Sequence, residues 1–111
     1  MKLTSLNSAI ILPLKEKYTI NNFGAVSIWV SDYIKESKFK NNLIFCKIKN
    51  KNEKYLTKNV YPIKINSNYF TNQAYIKKIN KVLLNKKIDT VEIHNRPEYA
   101  LYLIENNPDI K

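Results

Sequence analysis

Short, nearly continuous apolar runs alternate with amphipathic segments along the chain, and this alternation predicts strands and helices in turn. Four runs predict strands: residues 8–14, 43–48, 60–65 and 89–93. The first run is terminated by Pro13 and has the composition of a strand that is buried on both faces of a parallel sheet. The third run contains Pro62, which cannot donate a ladder hydrogen bond, so we expect that strand near an edge of the sheet.

Apolar residues at helical spacing predict three helices. The first, over residues 25–36, carries an apolar stripe that we expect to face the core: Val26, Trp29, Val30, Tyr33 and Ile34. The second, over residues 72–84, has one apolar face and one face of lysine and asparagine. The third follows Pro97 and stops at Asn106–Asn107–Pro108. The pair Asn41–Asn42 breaks the pattern between the first helix and the second strand.

The predicted order is strand, helix, strand, strand, helix, strand, helix, which is typical of a parallel sheet covered by helices. We therefore expect an α/β fold over residues 1–111, with a three-layer, Rossmann-like parallel sheet. The lysine- and asparagine-rich segment 49–59 predicts a solvated, hairpin-like loop. The last residues, 109–111, have the sequence of an approach to a further strand, so we expect the chain to be the first part of an incomplete domain.

Lysine supplies nearly all of the formal net charge of +10, because Arg96 is the only arginine among 19 basic residues. Nucleic-acid readers rely on arginine for bidentate contacts, so this excess of lysine is more typical of a compositional bias than of a nucleic-acid site. A positive field of this size still permits a phosphorylated ligand or contact with an anionic membrane surface.

Cys46 stands alone inside an apolar run, which indicates a buried thiol rather than a disulfide or a metal ligand. The sequence has neither a signal peptide nor a stretch approaching about 18 consecutive apolar residues. We expect a cytoplasmic protein, whose charge permits peripheral contact with the inner face of the plasma membrane. One histidine, one cysteine and no acidic cluster argue against a zinc site and a Cys–His nucleophile.

The only glycine, Gly24, separates a polar loop, residues 15–23, from the first predicted helix. Such a long link between a strand and a helix is often functional. The glycine backbone would let a phosphate approach the free amides and the positive end of the helix, which begins at Ala25. A turn that starts a helix without any ligand would use the same residue, so the spacing alone leaves both interpretations open.

The segment His94–Tyr99 places an imidazole, an amide, the sole arginine and a carboxylate in the turn after the fourth predicted strand. Asn95 and Glu98 could form a capping box for the third helix, with Pro97 in its first turn, and we favour that structural role for these three residues. His94 and Arg96 have no such local role, so we favour a ligand contact for both.

Trp29 and most of the eight tyrosines fall at core spacings, so we expect a packed interior rather than a stacking platform for single-stranded nucleic acid. The sequence also lacks a Walker-type loop and a full Gly-x-Gly-x-x-Gly motif. A nucleotide would therefore have to be bound through other features.

The strand and turn Thr90–Tyr99, followed by a helix that ends at Asn106–Asn107–Pro108, resemble the acceptor-side domain of family 4 glycosyltransferases. The likeness extends back to Phe23–Gly24–Ala25–Val26, where that family has a glycine-rich turn before its first helix. It covers most of the chain. The resemblance implies the GT-B fold, of which this chain would be the first part of the N-terminal domain.

The resemblance also implies a function. A second domain would hold most of a nucleotide-sugar donor, and this one would bind a polysaccharide or lipid-linked acceptor of cell-envelope synthesis. Gly24 and Ala25 would face the donor diphosphate. Four residues would line the acceptor cleft: His94, Asn95, Arg96 and Glu98. No cofactor or metal ion is expected, because backbone amides and basic side chains neutralise the leaving diphosphate in that family. No residue is assigned as catalytic, and no nucleic-acid partner is expected.

The chain departs from the family pattern in two respects. It has a single glycine in the first turn where the family commonly has two, and the donor-binding domain with its paired glutamates is not within these 111 residues. We therefore expect no transfer activity from this polypeptide alone. Two alternatives stay open: a small basic nucleic-acid-binding protein, and a non-catalytic module that pairs with a separate donor-domain polypeptide.

Overall fold

In the computed structural model, which describes residues 8–21, 23–36, 43–65 and 71–110, four strands and three helices follow one another in the predicted order. They are β1 (Ser8–Ile11), α1 (Ala25–Glu36), β2 (Leu43–Lys47), β3 (Val60–Ile63), α2 (Asn72–Lys86), β4 (Thr90–Ile93) and α3 (Pro97–Asn106). The predicted break at Asn41–Asn42 lies outside the described residues, as does Asn22 in the turn before Gly24.

All strand pairs are parallel, and the order across the sheet is β3-β2-β1-β4. The central strand is β1, in which Ile11 is paired with Phe45 on one side and with Ile93 on the other. Pro62 lies in β3, at one edge of the sheet, as predicted. The sequence-based expectation of a parallel, Rossmann-like sheet is confirmed.

The segment between β2 and β3 is not hairpin-like, because these two strands are parallel. The chain must therefore cross from the carboxyl edge of the sheet back to its amino edge. It is also tied to the loop that follows β1. The amide of Ile20 donates to the carbonyl of Lys54 (2.8 Å), and the amide of Leu56 donates to the carbonyl of Tyr18 (3.2 Å). The loops after β1 and β2 therefore support each other.

Two hydrophobic clusters cover the two faces of the sheet. On one face, Ile11 and Phe45 pack against α2 and α3 through buried residues such as Ile79 and Leu103. On the other face, strand residues pack against α1: Ile10, Ile44 and Cys46 meet Val30 and Ile34. Because side chains alternate between the faces of a strand, neighbouring residues of β1 serve opposite clusters. The result is the predicted three-layer arrangement of helix, sheet and helices.

Helix α1 is rotated relative to the sequence-based expectation. Its buried residues are Ser27, Val30, Ser31 and Ile34, whereas Trp29 is 52% exposed and Tyr33 is 41% exposed. Val30 and Ile34 are therefore core residues as predicted, but the placement of Trp29 and Tyr33 in the core is wrong. Ser27 and Ser31 lie on the buried side of the helix, and the bulky rings of Trp29 and Tyr33 lie on its exposed side.

Helix α2 is closed at both ends by local hydrogen bonds. The side chain of Thr71 accepts from the amide of Ala74 (3.0 Å) at its start. At its end Lys87 adopts a left-handed conformation (φ 57°), which lets the amide of Ile88 donate to the carbonyl of Leu83 (2.9 Å). Among the described helices, none is both long enough and apolar enough to cross a membrane.

Candidate functional site at the carboxyl edge of the sheet

The sheet has its topological switch point at β1, because the chain continues from β1 to β2 on one side and reaches β4 on the other. Open parallel sheets bind ligands outside the carboxyl ends of the strands that flank such a point. Here that place is bordered by the loop after β1, which leads to Gly24, and by the turn after β4, which begins at His94. Since Ile11 pairs with Ile93, both segments leave the sheet at the same edge.

The turn at Gly24 holds a carboxylate of the protein itself. One oxygen of Glu16, Oε2, accepts hydrogen bonds from the amide of Ser27 (3.2 Å) and from its hydroxyl (2.7 Å). The same hydroxyl lies 2.7 Å from the carbonyl of Lys17. A carboxylate at a helix start accepts from otherwise unpaired amides and stabilises the positive end of the helix dipole. Glu16 therefore serves as the capping anion of α1.

The reason for glycine at position 24 follows from this contact. A Cβ atom added to Gly24 would lie 2.3 Å from Oε2 of Glu16 and 2.8 Å from Oε1. No side chain fits in that space while the carboxylate is in place. Gly24 thus makes room for a side chain of the same protein, and its predicted role beside a donor diphosphate stays a prediction, as does that of Ala25.

An open cavity of about 320 Å³ lies next to this turn, and it is lined by Lys15, Glu16, Lys17, Phe23 and Gly24. Two lysines thus flank the single carboxylate in the lining. A phosphate could meet these ammonium groups without displacing Glu16 from the helix start. This cavity is a more accessible place for an anion than the amide of Ser27, which already has an acceptor.

His94 begins the second segment and has partners on two sides. Its Nε2 lies 2.7 Å from Oε2 of Glu92, the residue two positions earlier on the same face of β4. Its ring also contacts the exposed Trp29, with 5.2 Å between centroids and 57° between the ring planes. Because Trp29 lies in the second turn of α1, this contact joins the helix that follows Gly24 to the turn after β4. The structure therefore brings the two predicted segments to one edge.

The predicted capping box at α3 is wrong. The residue at the N-cap position is Arg96, no side chain caps the helix, and Asn95 lies one residue earlier in a left-handed conformation (φ 56°). Pro97 does lie in the first turn, as predicted, and Glu98 is the acidic residue there. Asn95 cannot reach the first-turn amides from this position, although asparagine tolerates the left-handed conformation better than most residues.

Arg96 occupies the N-cap position without a side-chain cap hydrogen bond, and it has local partners. Its Nη1 donates to the carbonyl of Asn95 (2.7 Å), and its Nε lies 3.8 Å from Oε1 of Glu98. Both carboxylates near the turn, those of Glu92 and Glu98, are thus paired with the two basic groups of the segment. The roles of His94, Asn95, Arg96 and Glu98 in an acceptor cleft stay predictions, and the side chains in question are at least partly exposed.

Two buried tyrosines hold the strand ends on the other face of the sheet. The Tyr75 hydroxyl lies 2.8 Å from the carbonyl of Leu12 and 3.2 Å from that of Phe45. The Tyr99 hydroxyl accepts from the amide of Leu14 (3.2 Å) and donates to Oδ1 of Asn72 (2.6 Å). Burial raises the pKa of both hydroxyls, so they stay protonated at neutral pH and hold the carboxyl edge as neutral groups.

The remaining reactive groups are not arranged for chemistry. Cys46 is fully buried, and burial raises the pKa of its thiol to about 12, so it carries no appreciable thiolate at neutral pH. Within the described ranges, no group of three or more His, Cys, Asp or Glu residues could hold a metal ion.

The site also contains two residues that sequence reasoning missed. The rings of Trp29 and Tyr33 are parallel to within 2°, with 5.6 Å between centroids; both are exposed, and Trp29 contacts His94. One sequence signal could have revealed them. Ser27 and Ser31 flank Val30 and Ile34 on the side away from Trp29 and Tyr33, and small residues at helical spacing favour close packing on a sheet.

Comparisons with known proteins give no match: no family model fits the chain, and neither a curated protein nor a solved structure is significantly similar to it. The resemblance to family 4 glycosyltransferases therefore stays a prediction. Function has to be inferred from the geometry of the carboxyl edge.

Proposed function

We propose that this chain is the acceptor-side part of a GT-B glycosyltransferase, which transfers a sugar from a nucleotide-sugar donor to a polysaccharide or lipid-linked acceptor. The observation that carries the proposal is the meeting of Trp29 and His94 at the switch point of a parallel sheet. Ligands of open α/β sheets bind at this place, outside the carboxyl ends of the strands. The residues around it supply both polar groups and flat apolar rings.

In this proposal the two segments have different ligands. The acceptor lies against the turn after β4, where His94, Asn95, Arg96 and Glu98 provide a mixture of donors and acceptors of hydrogen bonds. The donor diphosphate lies towards Gly24, in the cavity beside Lys15 and Lys17. Lysine ammonium groups would neutralise part of the charge that develops on the leaving diphosphate, which is a form of electrostatic catalysis that needs no metal ion.

A second domain, contributed by further polypeptide, holds the nucleotide and completes the cleft. The chain by itself is therefore expected to have no transfer activity. It contributes the acceptor surface and positions that surface relative to the donor, because orientation of two substrates accounts for a large part of the rate in such reactions.

Reading the coding sequence beyond the codon for Lys111 tests this proposal. We expect an open frame that encodes a second Rossmann-like domain with two glutamates near its own carboxyl edge. A stop codon directly after Lys111, with no neighbouring gene for a donor domain, would contradict the proposal and leave a binding protein as the alternative.

A further inference from the structure

We propose that Trp29 and Tyr33, together with Glu92, form a stacking subsite for a neutral pyranose ring. Within an enzyme this subsite would hold a sugar of the acceptor, and that role rests on the proposed function. The binding itself does not, because it depends only on side chains that the described chain presents. The ligand class is a neutral sugar, and Trp29 and Tyr33 are residues that the sequence pattern places in the core.

The first argument is the shape of the surface. A pyranose ring has a face of C–H groups that is flat and apolar, and such a face is removed from water when it lies on an aromatic ring. Trp29 and Tyr33 are parallel to within 2° and remain 52% and 41% exposed, so they present aromatic surface that no residue of the described chain covers. Tyr33 supports the indole of Trp29, and His94 contacts it as well.

The second argument is the hydrogen-bonding capacity next to the rings. Glu92 lies on the face of β4 that is directed towards α1, and its carboxylate is held by His94 at 2.7 Å. A carboxylate has more lone pairs than this one contact uses, so it can also accept from sugar hydroxyls. Stacking rings with an oriented carboxylate beside them match the two kinds of surface on a sugar.

The third argument is charge, and it favours a neutral ligand over a phosphorylated one at this place. Asp32 follows Trp29 by three residues and Glu36 follows Tyr33 by three, so on a helix each acidic group neighbours one ring. With Glu92 this gives three carboxylates around the rings. The chain as a whole carries +10, so the acidic surroundings are a local exception. A neutral polyhydroxylated ring fits these surroundings, whereas a phosphate would be repelled.

Saturation-transfer NMR on the 111-residue chain tests the inference, with methyl β-D-glucopyranoside, methyl α-D-mannopyranoside and methyl N-acetyl-β-D-glucosaminide as probes at millimolar concentration. We expect transfer to the ring C–H protons of at least one glycoside. Trp29 is the only tryptophan, so its fluorescence gives an affinity for the same probe. The variants Tyr33→Ala and Glu92→Ala should each weaken binding, the former by about tenfold.

Ile28→Ala is the matched control, because Ile28 is 45% exposed on the same helix but away from the rings, and it should leave binding unchanged. Two results would overturn the inference: no transfer from any of the three glycosides, or transfer that Tyr33→Ala and Trp29→Ala leave intact. If a glycoside binds but no donor domain is encoded downstream, the proposed enzyme is refuted and the stacking subsite is not.

Discussion

The contact between Gly24 and Glu16 predicts how a single added methyl group changes the stability of the fold. In Gly24→Ala the new Cβ would lie 2.3 Å from one oxygen of Glu16, so the carboxylate has to leave the start of α1. The amide and hydroxyl of Ser27 then lose their shared acceptor. The perturbation therefore acts through the cap of the helix rather than through the conformation of residue 24, which has no positive φ.

The magnitude follows from three contributions. Loss of a helix cap costs roughly 0.5–2 kcal/mol. Loss of the carboxylate from the partly exposed positive end of the helix adds about 0.3–1 kcal/mol. Against these, replacement of glycine by alanine lowers the entropy of the unfolded chain, which stabilises by about 0.4–1 kcal/mol. We expect Gly24→Ala to be destabilising by roughly 1–2 kcal/mol in total.

Urea unfolding monitored by circular dichroism measures this change in the free energy of unfolding. A double-mutant cycle isolates the contact between Glu16 and residue 24. Glu16→Ala alone should cost about 0.4–1 kcal/mol more than Gly24→Ala, because it removes the same cap without the stabilising loss of a glycine. In the Glu16→Ala background the methyl group meets no carboxylate, so Gly24→Ala should there be neutral or slightly stabilising. An equal cost of Gly24→Ala in both backgrounds would refute the assignment of Glu16 as the reason for the glycine.

Three further predictions concern other parts of the fold. Lys87→Gly should stabilise by about 0.5–1 kcal/mol in urea unfolding, because glycine has no penalty at φ 57°, whereas Lys87→Ala should give no gain. Tyr75→Phe should cost roughly 1–3 kcal/mol in the same assay, since the carbonyl of Leu12 loses this hydroxyl and the carbonyl of Phe45 keeps only the amide of Leu12. Tyr102→Phe, in which the ring is only partly buried, should cost less than that. Burial raises the pKa of Cys46 from 9.0 to about 12, so the thiol of the unfolded chain ionises first. The free energy of unfolding should therefore fall as the pH rises above 9, by at most about 1.4 kcal/mol per pH unit. Cys46→Val should make this fall less steep, and an unchanged slope would refute the assigned cause.

The fold could be predicted largely from the hydrophobic pattern. The runs that became β1 and β2 are apolar enough to be buried on both faces, and the intervening helical spacings fix the alternation that makes the sheet parallel. Pro62 marked an edge strand correctly. The segment after β2 was misjudged because its lysines and asparagines resemble a hairpin turn, while the direction of β3 depends on pairing that the local sequence does not encode.

The site was less predictable, because its details depend on contacts between distant residues. Nothing near Gly24 in the sequence indicates that the carboxylate of Glu16 lies against it. The rotation of α1 likewise involves distant residues, because the buried Ser27 bonds to Glu16 and Lys17, and in this orientation Trp29 is on the surface. Positions at a strand end, such as His94, could be predicted because topology alone brings them to the edge.

The central claim is that ligands bind between the loop after β1 and the turn after β4. Amide chemical-shift mapping of the labelled chain, with methyl β-D-glucopyranoside and uridine diphosphate added in turn, tests it most directly. The account predicts shifts at residues 94–96 and at the indole of Trp29 with the glycoside, and at residues 15–17 and in the first turn of α1 with uridine diphosphate. Shifts confined to residues 84–89 and 107–110, at the opposite edge of the sheet, or no shifts with either probe, would contradict it.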